Sequence, residues 1–206
     1  MPAQPVLAIC LDVFGTTVKI SKPTRPYKHI VTRLPVEERP RAAEFIMSHP
    51  WSLREAAIRL NVPHTENEMR SWERELAVEL ASIECFPETV EVLRALRTRG
   101  FALALCSNLG QPYAAPVDKL IGKYFDVKVW SFESGCVKPW PGIYDKVIKA
   151  LDLPAHRILM AGDTEAADYT APLAVGMLAT HLVRTAPPEG RKDHQIADLR
   201  ELLAKG

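Results

Sequence analysis

The chain reads as an α/β protein: a parallel sheet covered on both faces by helices, with a helical segment inserted after the first strand. Three observations predict this. Residues 6–11, Val-Leu-Ala-Ile-Cys-Leu, run apolar without interruption, as a strand buried on both faces does. From Pro87 onward, apolar strand runs alternate with helical periodicity, the pattern of βαβ units. Between these stretches, from Lys19 to about Phe86, the periodicity is helical, prolines fall at the joints and no apolar strand run occurs.

Taken in order, the first strand ends at Asp12 and passes into the loop Val13-Phe14-Gly15-Thr16-Thr17. Ligands in open α/β sheets bind beyond the carboxyl ends of the strands, which makes Asp12 a candidate for chemistry; a side-chain turn after a core strand is the alternative. Gly15 lets the loop turn with backbone N–H groups inward, a common way to hold an anion. In the insertion, residues 39–47 fit a helix using Ala42, Phe45 and Ile46, with Pro40 near its start. Ser52-Leu-Arg-Glu55 and Thr65-Glu-Asn-Glu68 both have capping-box form and predict two helix starts. Met69, Trp72, Leu76, Leu80 and Ile83 give the second of these helices one apolar stripe, read as packing. Residues 21–35, with Pro23, Pro26 and Pro35, take no assignment.

Beyond Pro87, Val90, Leu93 and Leu96 line a helix that Gly100 is placed to end in the left-handed conformation. Further strands are predicted at 101–106, 126–130, 157–161 and 177–182. Val117, Leu120 and Ile121 line one intervening helix, and Pro141 opens another with Ile143, Tyr144, Val147 and Leu151 inward. A helix follows Asp163, and residues 196–203 predict a short terminal helix.

Composition bounds the function. A chain of 206 residues with 47% hydrophobic content buries a core without disulfides or metal staples. Lys+Arg 26 against Asp+Glu 25 leaves a charge of +1, which provides no field for nucleic acid or anionic lipid. The first residues lack a basic flank and Asp12 interrupts their short apolar run. Neither a secretion signal nor a membrane span is predicted, and a cytoplasmic location is expected. Cys10, Cys85, Cys106 and Cys136 show no C-x-x-C spacing, and Cys10 and Cys106 fall inside apolar runs as buried thiols.

The informative pattern lies where the strands end. Asp12, then Ser107-Asn108, then Lys138, then Asp163 are each expected to follow a main strand and to meet at one edge of the sheet. Singly, Ser107-Asn108 is a turn or helix cap, Lys138 a solvated charge and Asp163-Thr164 an N-cap. Together they would surround one pocket with a nucleophilic carboxylate, hydroxyl and amide donors, a cation and a second carboxylate.

These segments, DVFGT at 12–16, SN at 107–108, KPWPGIY at 138–144 and GDTEAAD at 162–168, together resemble the four motifs of the haloacid dehalogenase (HAD) superfamily. The match runs in the correct order over about two-thirds of the chain, and Glu133, Gly135 and Gly176-Met177 also agree. The resemblance implies a Rossmann-like parallel sheet core, residues 1–17 and 87–206, with an α-helical cap, residues 18–86, inserted after the first motif and setting substrate choice. It implies that Asp12 attacks the substrate and forms a covalent aspartyl intermediate. Ser107 and Asn108 would bind the transferring group together with Phe14, Gly15 and Thr16, and Lys138 would neutralise charge. Asp163, Asp12 and the backbone carbonyl of Phe14 would hold Mg²⁺, with Asp168 supporting that site from behind. The expected partner is a small-molecule substrate, with neither nucleic acid nor membrane, acted on by a monomer or homodimer.

The chain also departs from the family pattern. Phosphatases of this family carry a second Asp two residues after the nucleophile as general acid and base, and here that position is Phe14. Losing such a group typically costs about 10²- to 10⁴-fold in rate. An aromatic there is similar to the metal-independent 2-haloacid dehalogenases, whose halide leaves without a proton and whose cap supplies an arginine; Arg25, Arg33, Arg39 and Arg41 are the candidates. GDTEAAD, with both carboxylates, points instead to a metal and a Mg²⁺-dependent phosphatase. A catalytically weak scaffold used for binding or regulation is the third possibility. Pro172 is expected to shorten or kink the helix after Asp168, and Trp140 takes the place of the usual acidic residue of KPDP.

Overall fold

The structure, a computed structural model, describes residues 5–185 and 189–204. Residues 1–4 and 205–206, which the sequence assigns to the two ends of the core, lie outside the described residues.

A six-stranded parallel sheet forms the centre, with β1 (Ala8–Leu11), β4 (Ala102–Ser107), β5 (Val127–Trp130), β6 (Ile158–Gly162), β7 (Leu178–Leu182) and β8 (Gln195–Ile196) in the order β5-β4-β1-β6-β7-β8. β1 sits inside, with Ile9 beside Leu103 on one flank and Leu159 on the other. All four of its residues are fully buried, which explains its uninterrupted apolar run. Because successive side chains point to opposite faces, Ile9 and Leu11 join one cluster and Ala8 and Cys10 another. The first includes Leu93 and Leu96 of α5 (Thr89–Thr98) and Val117 and Ile121 of α6 (Ala114–Ile121); the second includes Ile143, Tyr144 and Val147 of α8 (Pro141–Leu151). Burying each large side chain of these clusters stabilises the fold by about 1.5–3 kcal/mol.

Between β1 and α5 lie four α-helices, α1 (Tyr27–Val31), α2 (Arg39–Met47), α3 (Leu53–Arg59) and α4 (Glu66–Ala81). Both capping boxes form: Ser52 Oγ accepts from Glu55 N at 3.2 Å while Ser52 N donates to Glu55 at 2.9 Å, and Thr65 and Glu68 do the same. Each cap contributes about 1 kcal/mol. Met69, Trp72 and Leu76 of α4 pack inward with Leu53, Ala56 and Ala57 of α3. The stretch left without assignment contains α1.

Several expectations are corrected. The insertion does contain strands: β2 (Val18–Ile20) and β3 (Ile83–Cys85) pair antiparallel, Val18 beside Cys85 and Ile20 beside Ile83, and form the stem on which the helices stand. Each has three residues with only its inward members buried, too short and too alternating to show as an apolar run. Ile83 therefore belongs to β3 and not to the helix stripe. Lys138 does not end a strand, because β5 stops at Trp130 and α7 (Ser131–Ser134) intervenes, ended by Gly135 in the left-handed conformation. After Asp163 the chain forms a π-type turn, Glu165–Thr170, then the short α9 (Ala171–Ala174) holding Pro172, so the expected helix is broken where proline stands. Ile196 is in β8, and the terminal helix is a 3₁₀ segment, Leu199–Ala204. Gly100, at φ +84°, ends α5 as expected. Among the described residues no helix is long and apolar enough to cross a membrane.

Candidate active site

Asp12 follows β1 directly, its N–H donating to the Ala161 carbonyl at 3.0 Å as the sheet ladder runs out. The chain then doubles back so tightly that the Val13 carbonyl accepts from Thr16, Thr17 and Val18 N–H groups, and the Thr17 hydroxyl donates to the Asp12 carbonyl at 3.2 Å. Gly15 stands in this loop at φ +81°, and a Cβ there would lie 2.0 Å from Asp163 Oδ2. Glycine is required twice over, by the left-handed backbone and by the close approach of the carboxylate from β6. Thr16 is fully buried and its hydroxyl has no hydrogen-bond partner among the described residues.

Four charged side chains meet at the carboxyl edge of β1 and β6. Lys138 Nζ lies 2.7 Å from Asp12 Oδ1 and 2.6 Å from Asp168 Oδ1, and all three side chains are buried. Burial alone would lower the Lys138 pKa, but the facing Asp12 and Asp168 charges outweigh it and hold the ammonium protonated, well above its ordinary value. Asp168 is pushed up to about 6, chiefly by burial and against the pull of Lys138. Its other oxygen accepts the Thr164 N–H at 3.0 Å, and Gly162 has no Cβ because one would sit 2.3 Å from the Asp168 carboxyl. Asp163 is more open. Burial of its inner side and the neighbouring Asp12 charge both raise its pKa, and among the described residues its carboxylate has no ion-pair partner.

Carboxylate oxygens of Asp12, Asp163 and Asp168 lie within 4.8 Å of one another. Three carboxylates against one ammonium leave an excess of negative charge on the side where Asp12 faces Asp163. Hard oxygen donors with that excess fit a divalent cation such as Mg²⁺, which takes carboxylates at about 2.0–2.1 Å.

Lys138 is positioned from behind by Asn108, at the end of β4. The amide accepts from Lys138 N–H at 2.7 Å and donates to the Lys138 carbonyl at 2.8 Å, both to the backbone. Asn108 thus holds the lysine segment through one N–H and its carbonyl oxygen. Ser107 is buried at the end of β4, beside Trp130 of β5. Phe14 meets Tyr113 edge-on at 5.7 Å. Next to this site a cavity of about 270 Å³ opens toward the helices, lined by Phe14 and Asn108 with Tyr27, Ile46, Glu79 and Tyr113. None of Arg25, Arg33, Arg39 or Arg41 lines it. Arg33 is engaged by Glu68 and Arg39 by the Leu34 and Thr32 carbonyls.

Sequence reasoning missed Arg184. It donates to the Gly15 carbonyl at 3.1 Å and the Thr16 carbonyl at 2.5 Å, pairs with buried Glu88 at 2.6 Å and stacks on Phe86. It stands two residues past β7, so the strand-end rule that found Asp12 and Asp163 would have found it on the fifth strand. His181, inside β7 and so beyond the reach of that rule, places its Nε2 3.0 Å from the Asp163 carbonyl.

The parallel sheet thus presents a loop-borne carboxylate, a buried lysine and two further acids together at its carboxyl edge. The family model of haloacid dehalogenase-like hydrolases matches residues 6–176. The chain belongs to that family. It is 29% identical over 136 residues to the ribulose-1,5-bisphosphate 5-phosphatase of Halopiger xanaduensis, covering 60% of this chain; the match spans 57% of that curated relative's length. The fold is shared with a HAD phosphatase from Thermococcus onnurineus, 22% identical at a TM-score of 0.67 with 96% of each chain covered. It is shared about equally with a 2-haloacid dehalogenase from Pseudomonas syringae, 16% identical at a TM-score of 0.64 with 97% of each chain covered. Fold likeness therefore does not choose between phosphate and halide chemistry.

Proposed function

We propose that the chain is a Mg²⁺-dependent phosphohydrolase acting on a small phosphorylated metabolite through a covalent Asp12 intermediate. The observation that carries this reading is the charge of the cluster: two carboxylates, Asp12 and Asp168, share a single ammonium, and Asp163, which among the described residues has no ion-pair partner, gathers its oxygens with theirs. Asp12, Asp163 and the Phe14 carbonyl would hold the ion, with Asp168 behind them, and the ion supplies positive charge that offsets the repulsion between nucleophile and phosphate.

The rest of the reaction falls to the chain's own groups. Lys138 holds Asp12 Oδ1, which leaves Oδ2 to attack phosphorus; the new O–P bond forms as the bond from phosphorus to the leaving oxygen breaks. Lys138, fixed by Asn108, offsets charge on the phosphoryl oxygens as it shifts, and Ser107 donates to the transferring group. Water then attacks phosphorus, the Asp12–phosphorus bond breaks, and inorganic phosphate departs with the carboxylate restored. Phe14 has no proton to give, so the leaving oxygen takes one from solvent and the attacking water loses one to it. Esters with weakly basic leaving groups are favoured accordingly.

The test is phosphate release from aryl and acyl phosphates with and without chelator. Release abolished by EDTA and restored by Mg²⁺ is expected, and an Asp163→Asn variant should need more Mg²⁺ for half-maximal rate. Phosphate release indifferent to EDTA contradicts the metal assignment. Phe14 favours one alternative, carbon–halogen hydrolysis, since a halide leaves without a proton; that chemistry predicts chelator-indifferent halide release from 2-halo acids. Against it stands the cavity beside Asp12, which no arginine among Arg25, Arg33, Arg39 and Arg41 lines to hold a carboxylate.

A further inference from the structure

The cavity beside Asp12 carries information about the substrate that the catalytic residues do not. Its walls are largely aliphatic and aromatic, supplied by Phe14, Ile46 and their neighbours. Its one acid is Glu79, at the end of α4, which is 4% exposed. Glu79 is held by neutral donors: the Tyr113 hydroxyl at 2.6 Å, the Arg25 backbone N–H at 2.5 Å and the Thr24 hydroxyl at 3.2 Å. Among the described residues no lysine or arginine lines the space. The Tyr27 ring stands at the wall, while its hydroxyl is buried away from the space, near Gly110, and has no hydrogen-bond partner among the described residues.

We propose that this cavity receives the leaving-group portion of the substrate, that this portion is apolar, and that a second anionic group is rejected. The inference rests on the phosphohydrolase reading and deepens it. Volume sets the size: a cavity of about 150 Å³ accepts benzene, so about 270 Å³ holds one substituted ring or a short branched chain. Charge sets the selection. A second phosphate or carboxylate would lose its water, find no cation, and meet the unpaired negative charge of Glu79. In this respect the pocket differs from what a bisphosphate requires.

The experiment measures kcat/KM of the full chain with Mg²⁺ on acetyl phosphate, phenyl phosphate, 4-methoxyphenyl phosphate, 4-carboxyphenyl phosphate and ribulose 1,5-bisphosphate. Among the aryl esters, whose leaving groups are of similar basicity, phenyl and 4-methoxyphenyl phosphate should lead, with the carboxy compound and the bisphosphate about 10²-fold or more below phenyl phosphate. Glu79→Gln should relieve rejection of the carboxy compound. A carboxy compound or bisphosphate turned over as well as phenyl phosphate overturns the inference and leaves the phosphohydrolase reading standing. So does turnover of acetyl phosphate, which needs no cavity, without turnover of the aryl esters. Absence of phosphate release from all five removes both.

Discussion

Replacing Arg184 with methionine removes a guanidinium that ties three segments together while keeping most of its apolar bulk. Three of its nitrogens bond: Nε to the Gly15 carbonyl, Nη2 to the Thr16 carbonyl and Nη1 to Glu88. Its plane also covers the Phe86 ring at 3.6 Å. Hydrogen bonds from a charged donor contribute about 1.5–3 kcal/mol each, and Glu88, 3% exposed, would be left without a counter-charge. Arg184 is 22% exposed, which screens part of this, so about 3–5 kcal/mol is expected for the variant. For a chain of this size that lowers Tm by about 6–20 °C. Calorimetry on Arg184→Met, Glu88→Gln and the double variant should show coupling, the double variant costing less than the sum by about 1.5 kcal/mol or more. Since Gly15 and Thr16 form the loop after Asp12, kcat should fall about 10- to 10²-fold, with KM changed less. A Tm within about 3 °C of the parent, together with unchanged kcat, would refute the role of Arg184 as the residue positioning that loop.

The other expectations test neighbouring parts of the site. Gly15→Ala should abolish activity and lower stability, because φ is +81° and the methyl would overlap the Asp163 carboxylate; near-normal phosphate release would contradict the geometry of the loop. Asn108→Ala should lower kcat about 10- to 10²-fold with little change in KM, by freeing the backbone of Lys138, while Asn108→Asp keeps one of the two bonds and recovers little. Ser52→Ala and Thr65→Ala should each cost about 1 kcal/mol in urea unfolding with no change in m-value, and a loss well under half of that would deny the capping boxes their part.

What sequence made legible follows from how local each signal is. The β1 run, the alternation after Pro87, Gly100 and both capping boxes depend on neighbours a few residues away, and all appear where expected. Asp12 and Asp163 were legible because both follow buried strands directly. Lys138 reaches the same place by another route, through α7 and the Asn108 clamp, and strand counting could not reveal that. The β2–β3 stem was hidden because its partners are some 65 residues apart by register and each strand is only three residues long. Glu79, Tyr27 and Tyr113 sit on elements distant in sequence, and only docking of α1 and α4 against the loop after β4 brings them together. The candidate cap arginines show the converse: charge and position nominated them, yet Glu68 and backbone carbonyls engage Arg33 and Arg39 away from the cavity.

The central claim is that the carboxylate of Asp12 becomes bonded to phosphorus during turnover. Mass spectrometry of the chain quenched in acid during steady-state hydrolysis of an acyl phosphate with Mg²⁺ tests this directly. A phosphoryl adduct confined to the peptide containing Asp12, absent from Asp12→Asn, is the predicted result. Continued phosphate release by Asp12→Asn, or an adduct on any other residue, would contradict it.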